Sequence, residues 1–283
     1  MAGSGSGKLY IVATPIGNLE DITLRALRVL KEADLIAAED TRHTRKLLSH
    51  YRISTPLVSY HAHNQATRGP ELIQRLRQGE KVALVSDAGT PGFSDPGADL
   101  VARAWEAGIS VAAVPGPAAA VAALSISGFK GDVTFVGFLP RRGGKRRELL
   151  ARLAPEPRVL IFYESPRRLA ETLKELAASL GDRQVLVVRE LTKLFEESWR
   201  GPLAAAAAHF QDREIKGECT LVLSCPAEKI IPEVDLDAHL LKMSQEGRGS
   251  GRELTARVAA ALKLPRRRVY QAYLALKAAK RLP

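Results

Sequence analysis

The chain has 283 residues, 46% of them hydrophobic, 5% aromatic and 26% charged, and its 42 Lys and Arg against 31 Asp and Glu give a net charge of +11. That apolar content excludes a disordered chain, and the length implies two domains with a small appendage. Two cysteines, Cys219 and Cys225, exclude a disulfide scaffold and a structural zinc cluster and fit a reducing cytoplasm.

Residues 1–7 are Gly/Ser-rich and read as a flexible tail. No charged start leads into an apolar stretch and no run of 18 apolar residues occurs, so neither a signal peptide nor a membrane span is expected. Val, Ile and Leu cluster at 9–13, 35–38, 56–60, 82–86 and 110–114, which predicts strands. Between most of them, apolar residues recur at spacings of three and four over 22–32, 43–50, 64–78 and 97–107, which predicts helices. This βαβα alternation predicts a mainly parallel sheet covered on both faces, an N-terminal α/β domain over 8–127. The turn-rich GFKGD at 128–132 marks the link to a second series. Its strands fall near 133–138, 158–163, 184–189 and 219–224 and its helices near 145–153, 166–179 and 202–210, a second α/β domain over 128–228 with some antiparallel pairing. After a two-proline linker, helices near 236–245, 251–262 and 266–281 make a third region, 235–283. Only Lys263, Leu264 and Pro265 separate the last two, a helix-turn-helix-like arrangement.

The charge is concentrated. From Lys242 to Pro283 eleven Lys and Arg stand against two Glu, a net +9, and Arg141 to Arg152 holds six basic residues against Glu148, a net +5. Two such patches on a near-neutral body point to a polyanionic partner. Solvated helix faces are the plainer alternative.

In open parallel sheets ligands bind beyond the carboxyl ends of the strands, and those positions are unusual here. The first strand runs into Thr14-Pro15-Ile16-Gly17-Asn18, and the fourth into Ser86-Asp87-Ala88-Gly89-Thr90-Pro91-Gly92-Phe93-Ser94-Asp95-Pro96-Gly97, far longer than a plain turn. The fifth leads to Pro115-Gly116-Pro117-Ala118-Ala119, where small residues let a ligand approach the backbone. Tyr163-Glu164-Ser165-Pro166-Arg167 and Arg189-Glu190-Leu191-Thr192-Lys193 occupy matching places in the second half. Together these five segments favour a cleft between the halves. No Gly-x-Gly-x-x-Gly fingerprint and no Walker A sequence is present, which argues against nicotinamide and nucleotide-triphosphate chemistry. Glu39-Asp40-Thr41-Arg42-His43 follows the second strand, with Asp40 or Thr41 suited to cap the next helix and Glu39 left without a structural reason. His61 and His63 have the spacing of a metal pair, but no third ligand stands at a matching interval, so no metal is expected.

The segments VATPIGNLEDIT, AAEDTRHT, SYHAHN, SDAGTPGFSDPG, VPGPAA, GFLPRR, FYESPRR and RELTK carry a resemblance across nearly the whole chain. The sequence resembles bacterial small-subunit ribosomal RNA methyltransferases of the tetrapyrrole methylase superfamily. That resemblance implies two α/β domains of the tetrapyrrole methylase type with the cofactor cleft between them, a small basic C-terminal helical domain, and a cytoplasmic homodimer. It implies transfer of a methyl group from S-adenosylmethionine to the ribose 2′-hydroxyl of a decoding-region cytidine in 16S ribosomal RNA or the small subunit. Carried over by position, Pro15 borders the cofactor, Asp87, Ala88 and Gly89 hold its methionine or ribose portion, and Ala118 and Ala119 face the adenosine. Phe162, Tyr163, Leu191 and the segment Gly217-Glu218-Cys219-Thr220 complete the site. RNA contacts are expected from Arg42, from Arg141, Arg142, Lys145 and Arg146, and from Arg266, Arg267 and Arg268.

A sulfonium methyl is already electrophilic, so positioning is the main catalytic task. A ribose hydroxyl is a weak nucleophile, and a carboxylate or imidazole taking its proton would help. Among Glu39, Asp40, His61, His63 and Glu164, the expectation falls on Glu39 and Glu164, each just past a strand end near an arginine. A non-catalytic RNA-binding assembly factor and a same-fold methylase with another substrate are the competing readings.

Overall fold

A computed structural model describes residues 7–93, 97–181, 183–226, 236–245, 250–262, 264 and 266–279. The 1–6 part of the expected tail, Ser94 to Pro96, the 227–235 linker, Lys263, Pro265 and the chain beyond 279 lie outside the described residues. Gly7, expected in the tail, is buried, and a Cβ there would meet the carbonyl oxygens of Leu76 and Glu80. The chain divides into one compact unit up to Pro226 and another from Ala227.

The first unit holds two five-stranded sheets. Strands β1 (Lys8–Val12), β2 (Leu35–Ala38), β3 (Leu57–Ser59), β4 (Lys81–Val85) and β5 (Ser110–Val114) form a wholly parallel sheet in the order β3-β2-β4-β1-β5. Successive side chains point to opposite faces. Ile36, Ala38, Ala83 and Val85 pack with helices α1 (Leu24–Glu32) and α2 (Thr41–His50). Leu35, Ala37, Val82 and Leu84 pack with α3 (Gln65–Arg77) and α4 (Gly97–Glu106). Burial on both faces explains the unbroken apolar runs in the sequence. Thr23 and Asp40 cap α1 and α2 by accepting from the Ala26 and Arg42 N–H groups. The connections from the neighbouring strands β1 and β4 leave toward opposite edges of the sheet, so their carboxyl ends meet at a switch point.

The second sheet comprises β6 (Val133–Phe138), β7 (Val159–Glu164), β8 (Gln184–Arg189), β9 (Glu197–Pro202) and β10 (Cys219–Leu223), in the order β6-β7-β10-β8-β9. β6 and β7 are parallel and the other pairs antiparallel. One face packs on α6 (Gly144–Leu153), α7 (Leu169–Leu180) and α8 (Leu203–Phe210). The other is covered by α5 (Ala119–Ser127) through Ala120 and Ala123. Sequence order places α5 in the first half, but packing assigns it to the second sheet. The sequence does not predict β9: ESWRGP is polar because it is an edge strand with alternate residues exposed, and it lacks the apolar run that marks a central strand.

A bulge interrupts β6. Phe135 pairs with Ile161 and Phe138 with Tyr163, with the register shift falling between Phe135 and Gly137, whose φ is +73°. Ile161 and Tyr163 share a face, so the extra residue puts Phe135 and Phe138 on that same face.

In the second unit, α9 (Leu236–Gln245), α10 (Gly251–Leu262) and α11 (Arg266–Ala278) bury Leu240, Leu254, Val258, Leu264, Val269 and Leu276 in a core of their own. Arg266, Arg267 and Arg268 are exposed on the first turn of α11.

Candidate active site

Loops from the carboxyl ends of β1, β4 and β5 face loops from the ends of β7 and β8, and the antiparallel β10 brings its own start to that edge, where Cys219 pairs with both Glu164 and Arg189. Together they enclose a cavity of about 460 Å³. The TPIGN and SDAGT loops are locked by two hydrogen bonds, Thr14 N–H to Gly89 O at 2.9 Å and Gly89 N–H to Thr14 O at 3.0 Å. Gly89 holds φ +80°, a conformation that favours glycine.

The acidic cluster after β2 is tied to the β4 loop. The Asp40 N–H donates to Asp87 Oδ1 at 2.9 Å and the Asp87 N–H to Glu39 Oε2 at 3.5 Å. Asp40 also accepts from the Arg42 guanidinium at 3.0 Å, and that hydrogen bond, with the Arg42 N–H, holds its carboxyl down at about 2. Asp40 is therefore the helix cap and Arg42 its exposed partner, which leaves Glu39 as the member of the cluster that lines the cavity.

Glu164 also lines it, but its side chain is buried and fully engaged. Arg168 Nε and Nη2, the Ser165 N–H and the Thr172 hydroxyl all donate to its two oxygens at 2.7 Å. With both oxygens taken up by these donors, Glu164 organises the β7 loop, a role in place of the proton acceptor expected from its position. Arg146 requires a firmer correction. Expected on RNA, it is only 5% exposed, donating to Glu175 at 2.6 Å, the Pro140 carbonyl at 3.0 Å and the Thr172 hydroxyl at 2.9 Å. The i,i+4 apolar pattern of α6 turns it inward beside Leu150 and Leu153. Arg141, Arg142 and Lys145 are exposed.

Asp87, Ala88, Gly89, Ala118, Ala119, Tyr163, Leu191, Glu218 and Thr220 line the cavity, joined by Phe93, Ser165 and Lys193 of the expected cleft segments, to which no individual role was given, and by Phe138, which lies outside those segments. Phe162 does not line it: at 0% exposure it points into the opposite core because it alternates with Tyr163. Pro15 borders an adjoining cavity of about 550 Å³ with His43 and Lys46, which shares Asp87, Ala88, Lys193 and Glu218 with the first. The Tyr163 hydroxyl accepts from the Ala120 N–H at 3.2 Å, capping α5, and burial raises its pKa so that it stays a neutral phenol. Burial likewise pushes the Cys219 thiol up to about 12, which removes it as a nucleophile.

The β8 loop is strained. Glu190 and Thr192 have φ of +51° and +67°, and Thr192 N–H is held by Glu196 Oε2 at 2.6 Å. Lys193 Nζ donates to Glu190 at 2.8 Å and Glu218 at 3.1 Å; burial alone would lower its pKa, but these two carboxylates raise it. Gly17 lets the β1 loop approach this segment: a Cβ there would lie 2.9 Å from Thr192 Oγ1 and 3.0 Å from the Leu191 carbonyl. The Asn18 N–H donates to Thr192 Oγ1 at 3.2 Å. Gly17→Val should force the loops apart and speed amide exchange at Asn18 about tenfold, as removal of roughly one hydrogen bond implies. Unchanged protection there would refute the clasp.

His61 and His63 have ring centroids 5.9 Å apart, and the His61 N–H is held by Asn64 Oδ1 at 2.8 Å. Among the described residues no group of three or more His, Cys, Asp and Glu could hold a metal, and no helix is long and apolar enough to cross a membrane.

Solved structures share this architecture. Uroporphyrin-III C-methyltransferase of Thermus thermophilus complexed with S-adenosyl homocysteine aligns with a TM-score of 0.56 at 24% identity over 77% of this chain and 97% of that one. A cobalamin-biosynthetic cobalt precorrin-4 methyltransferase aligns at 0.59 and 20% identity over 77% and 94%. At these identities the likeness speaks for the fold. The sequence relatives are nearer. The protein named ribosomal RNA small subunit methyltransferase I in Halalkalibacterium halodurans is 53% identical, over 80% of this chain and 79% of the relative. The protein of that name in Synechocystis is 48% identical, over 96% and 99%. The profile of the Tetrapyrrole (Corrin/Porphyrin) Methylases matches residues 8–207. On the fold, the cavity and these matches, the chain belongs to the tetrapyrrole methylase family, among the relatives named ribosomal RNA small subunit methyltransferase I.

Proposed function

We propose that the chain transfers a methyl group from S-adenosylmethionine to small-subunit ribosomal RNA, at the ribose 2′-hydroxyl of a cytidine in the decoding region. The observation that carries this reading is the inter-sheet cavity with Glu39, Asp87 and Glu218 in its wall against the single Lys193, itself bound to Glu218, while the lining Glu164 is paired with Arg168. That charge balance suits a cationic ligand, and about 460 Å³ lies within the range of small-molecule sites. Small residues at Ala88, Gly89, Ala118 and Ala119 leave room for close approach to the backbone.

When bound, S-adenosylmethionine supplies a methyl group already activated by its sulfonium. The protein's work is then to hold the ribose hydroxyl in line, to keep water out with Tyr163, Phe93 and Phe138, and to take the hydroxyl proton. Glu39 is the acceptor in this reading, held toward the cavity by the Asp87 N–H. Asp87 and Glu218 offset positive charge, and Leu191 and Thr220 complete the wall.

RNA is gripped by Arg141, Arg142 and Lys145 beside the cavity, by Arg42, and by Arg266, Arg267 and Arg268 of the helical unit, in cytoplasmic surroundings. A homodimer belongs to the same reading and would cover exposed apolar side chains such as Leu194 and Phe195. Tritium transfer from labelled S-adenosylmethionine to naked 16S RNA and to assembled small subunits, with the product nucleotide mapped, tests the proposal. Label on neither substrate refutes it, and absence of cofactor binding by calorimetry would favour a non-catalytic RNA-binding role. Reversing Arg266, Arg267 and Arg268 to Glu should weaken RNA binding and flatten its salt dependence by about 0.7 to 0.9 for each phosphate no longer neutralised, with cofactor affinity unchanged. An unchanged salt slope would remove these arginines from the interface.

A further inference from the structure

An open groove of about 830 Å³ leaves the cavity on its β6–β7 side and shares Phe138, Glu164, Ser165 and Pro166 with it. We propose that this groove binds one unstacked nucleotide of the RNA strand next to the ribose being methylated, with its base on Phe138 and its phosphates on Arg141 and Arg167. The inference rests on the RNA methyltransferase reading and deepens it, giving Phe138 and Arg141 a specific occupant and adding Arg167.

Three observations lead there. First, the fold goes out of its way to display Phe138. An unbroken β6 would put Phe135 and Phe138 on opposite faces, yet the bulge at Gly137 sets both on the face of Tyr163. Phe135 is the half-buried member of the pair, stacked on Phe93 at 4.1 Å and edge-on to Tyr163 at 5.2 Å. Phe138 rests against Tyr163 at 5.6 Å and remains 58% exposed. A large apolar ring backed by another aromatic and open on its outer side is a stacking surface, and bases stack on such rings with little regard to sequence.

Second, the groove's charge matches a phosphate backbone. Arg141 and Arg167 line it, are exposed, and form no ion pair or hydrogen bond among the described residues. The groove's single carboxylate, Glu164, is buried and neutralised by Arg168, so nothing in the wall opposes an anion. Third, the chemistry is nearby. Glu164, Ser165 and Pro166 belong to both the groove and the cavity, so a nucleotide held here is the immediate neighbour of whatever the cavity holds. A base within a duplex cannot offer its face to Phe138, so the occupant is single-stranded or flipped out.

The test uses the full-length protein, assembled small subunits, and a short single-stranded RNA of decoding-region sequence carrying 2-aminopurine beside the target cytidine. Phe138→Leu should abolish the fluorescence quench on binding and raise KM for the subunit about tenfold or more, a larger change than in kcat, and Phe138→Trp should restore both. Arg167→Ala should lower the slope of log affinity against log salt by about 0.7. A quench and KM unchanged in Phe138→Leu, or a matching drop in S-adenosylmethionine affinity by calorimetry, would overturn the proposal; the latter would assign Phe138 to the cofactor. Failure of the wild-type protein to methylate either RNA or subunits would instead sink the underlying methyltransferase reading.

Discussion

Glu39→Gln is expected to lower the rate of methyl transfer about 10²- to 10⁴-fold, the range associated with removal of a positioned proton acceptor. The substitution keeps the shape of the side chain and an oxygen to accept the Asp87 N–H, now 3.5 Å from Glu39 Oε2, so the β2 and β4 loops should remain joined. S-adenosylmethionine affinity should accordingly hold within a few-fold, which calorimetry can check. The prediction comes from how the carboxylates divide the work. Asp40 is drawn off by the helix cap and Arg42, Glu164 holds four donors, Asp87 accepts the Asp40 N–H and Glu218 is paired with Lys193, while Glu39 lines the cavity beside the Asp87 N–H and is the proton acceptor of this reading. Turnover close to wild type on a subunit that still binds would eliminate Glu39 as the base and leave positioning as the whole of catalysis.

Glu164→Ala should act mainly on stability, costing roughly 3 to 5 kcal/mol, the usual consequence of removing one partner from a buried ion pair. It strands the Arg168 guanidinium, the Ser165 N–H and the Thr172 hydroxyl together. Arg168 keeps only its hydrogen bond to the Leu139 carbonyl at 3.1 Å, and Thr172, which also accepts from Arg146, is left without its own acceptor. For a unit of this size the change corresponds to a melting-temperature drop on the order of 10 °C. Arg168→Met in the Glu164→Ala background should recover part of that stability, because no charge is then left buried without a partner. Glu164→Gln separates this role from catalysis: it should melt earlier yet retain most of its turnover below that transition. A melting curve for Glu164→Ala that overlays the wild type would contradict the network.

The alternation of strands and helices in the first sheet was legible because each central strand is buried on both faces and reads as an unbroken apolar run, while each helix shows a single apolar stripe. The edge strand β9 escaped because a half-exposed strand needs few apolar residues. The assignment of α5 escaped for another reason: its residues are apolar nearly all round, and nothing local distinguishes which of two sheets it will cover.

At the site, the strand-end motifs announced themselves through Gly and Pro, since sharp turns and close approach require those residues. The segments that hold Asp87, Gly89, Ala118 and Tyr163 could therefore be picked out from their place after a strand, whereas the individual residues, and Glu218 altogether, came with the family resemblance. Phe162 and Arg146 show the limit of that reasoning. Both stand one position from an outward-facing neighbour, and a period of 2 or 3.6 reverses the direction of a side chain within one residue. Phe138 was hidden behind a bulge, a shift of register that a single strand cannot reveal because it exists only relative to the partner strand.

Composition, periodicity and turn chemistry by themselves determined two sheets covered by helices, a basic helical appendage, and most of the loops that line the cavity. Those properties are local, set by which residues tolerate a strand, a helix or a left-handed turn. Asp40 as a helix cap was open to local reading, but which carboxylate is buried against arginine and which faces the cavity was decided only by tertiary structure. Glu39 and Glu164 each stand at or just past a strand end and differ in the donors that other residues bring to them, the Asp87 N–H to Glu39 from the β4 loop and Arg168 and Thr172 to Glu164 from the following helical turns.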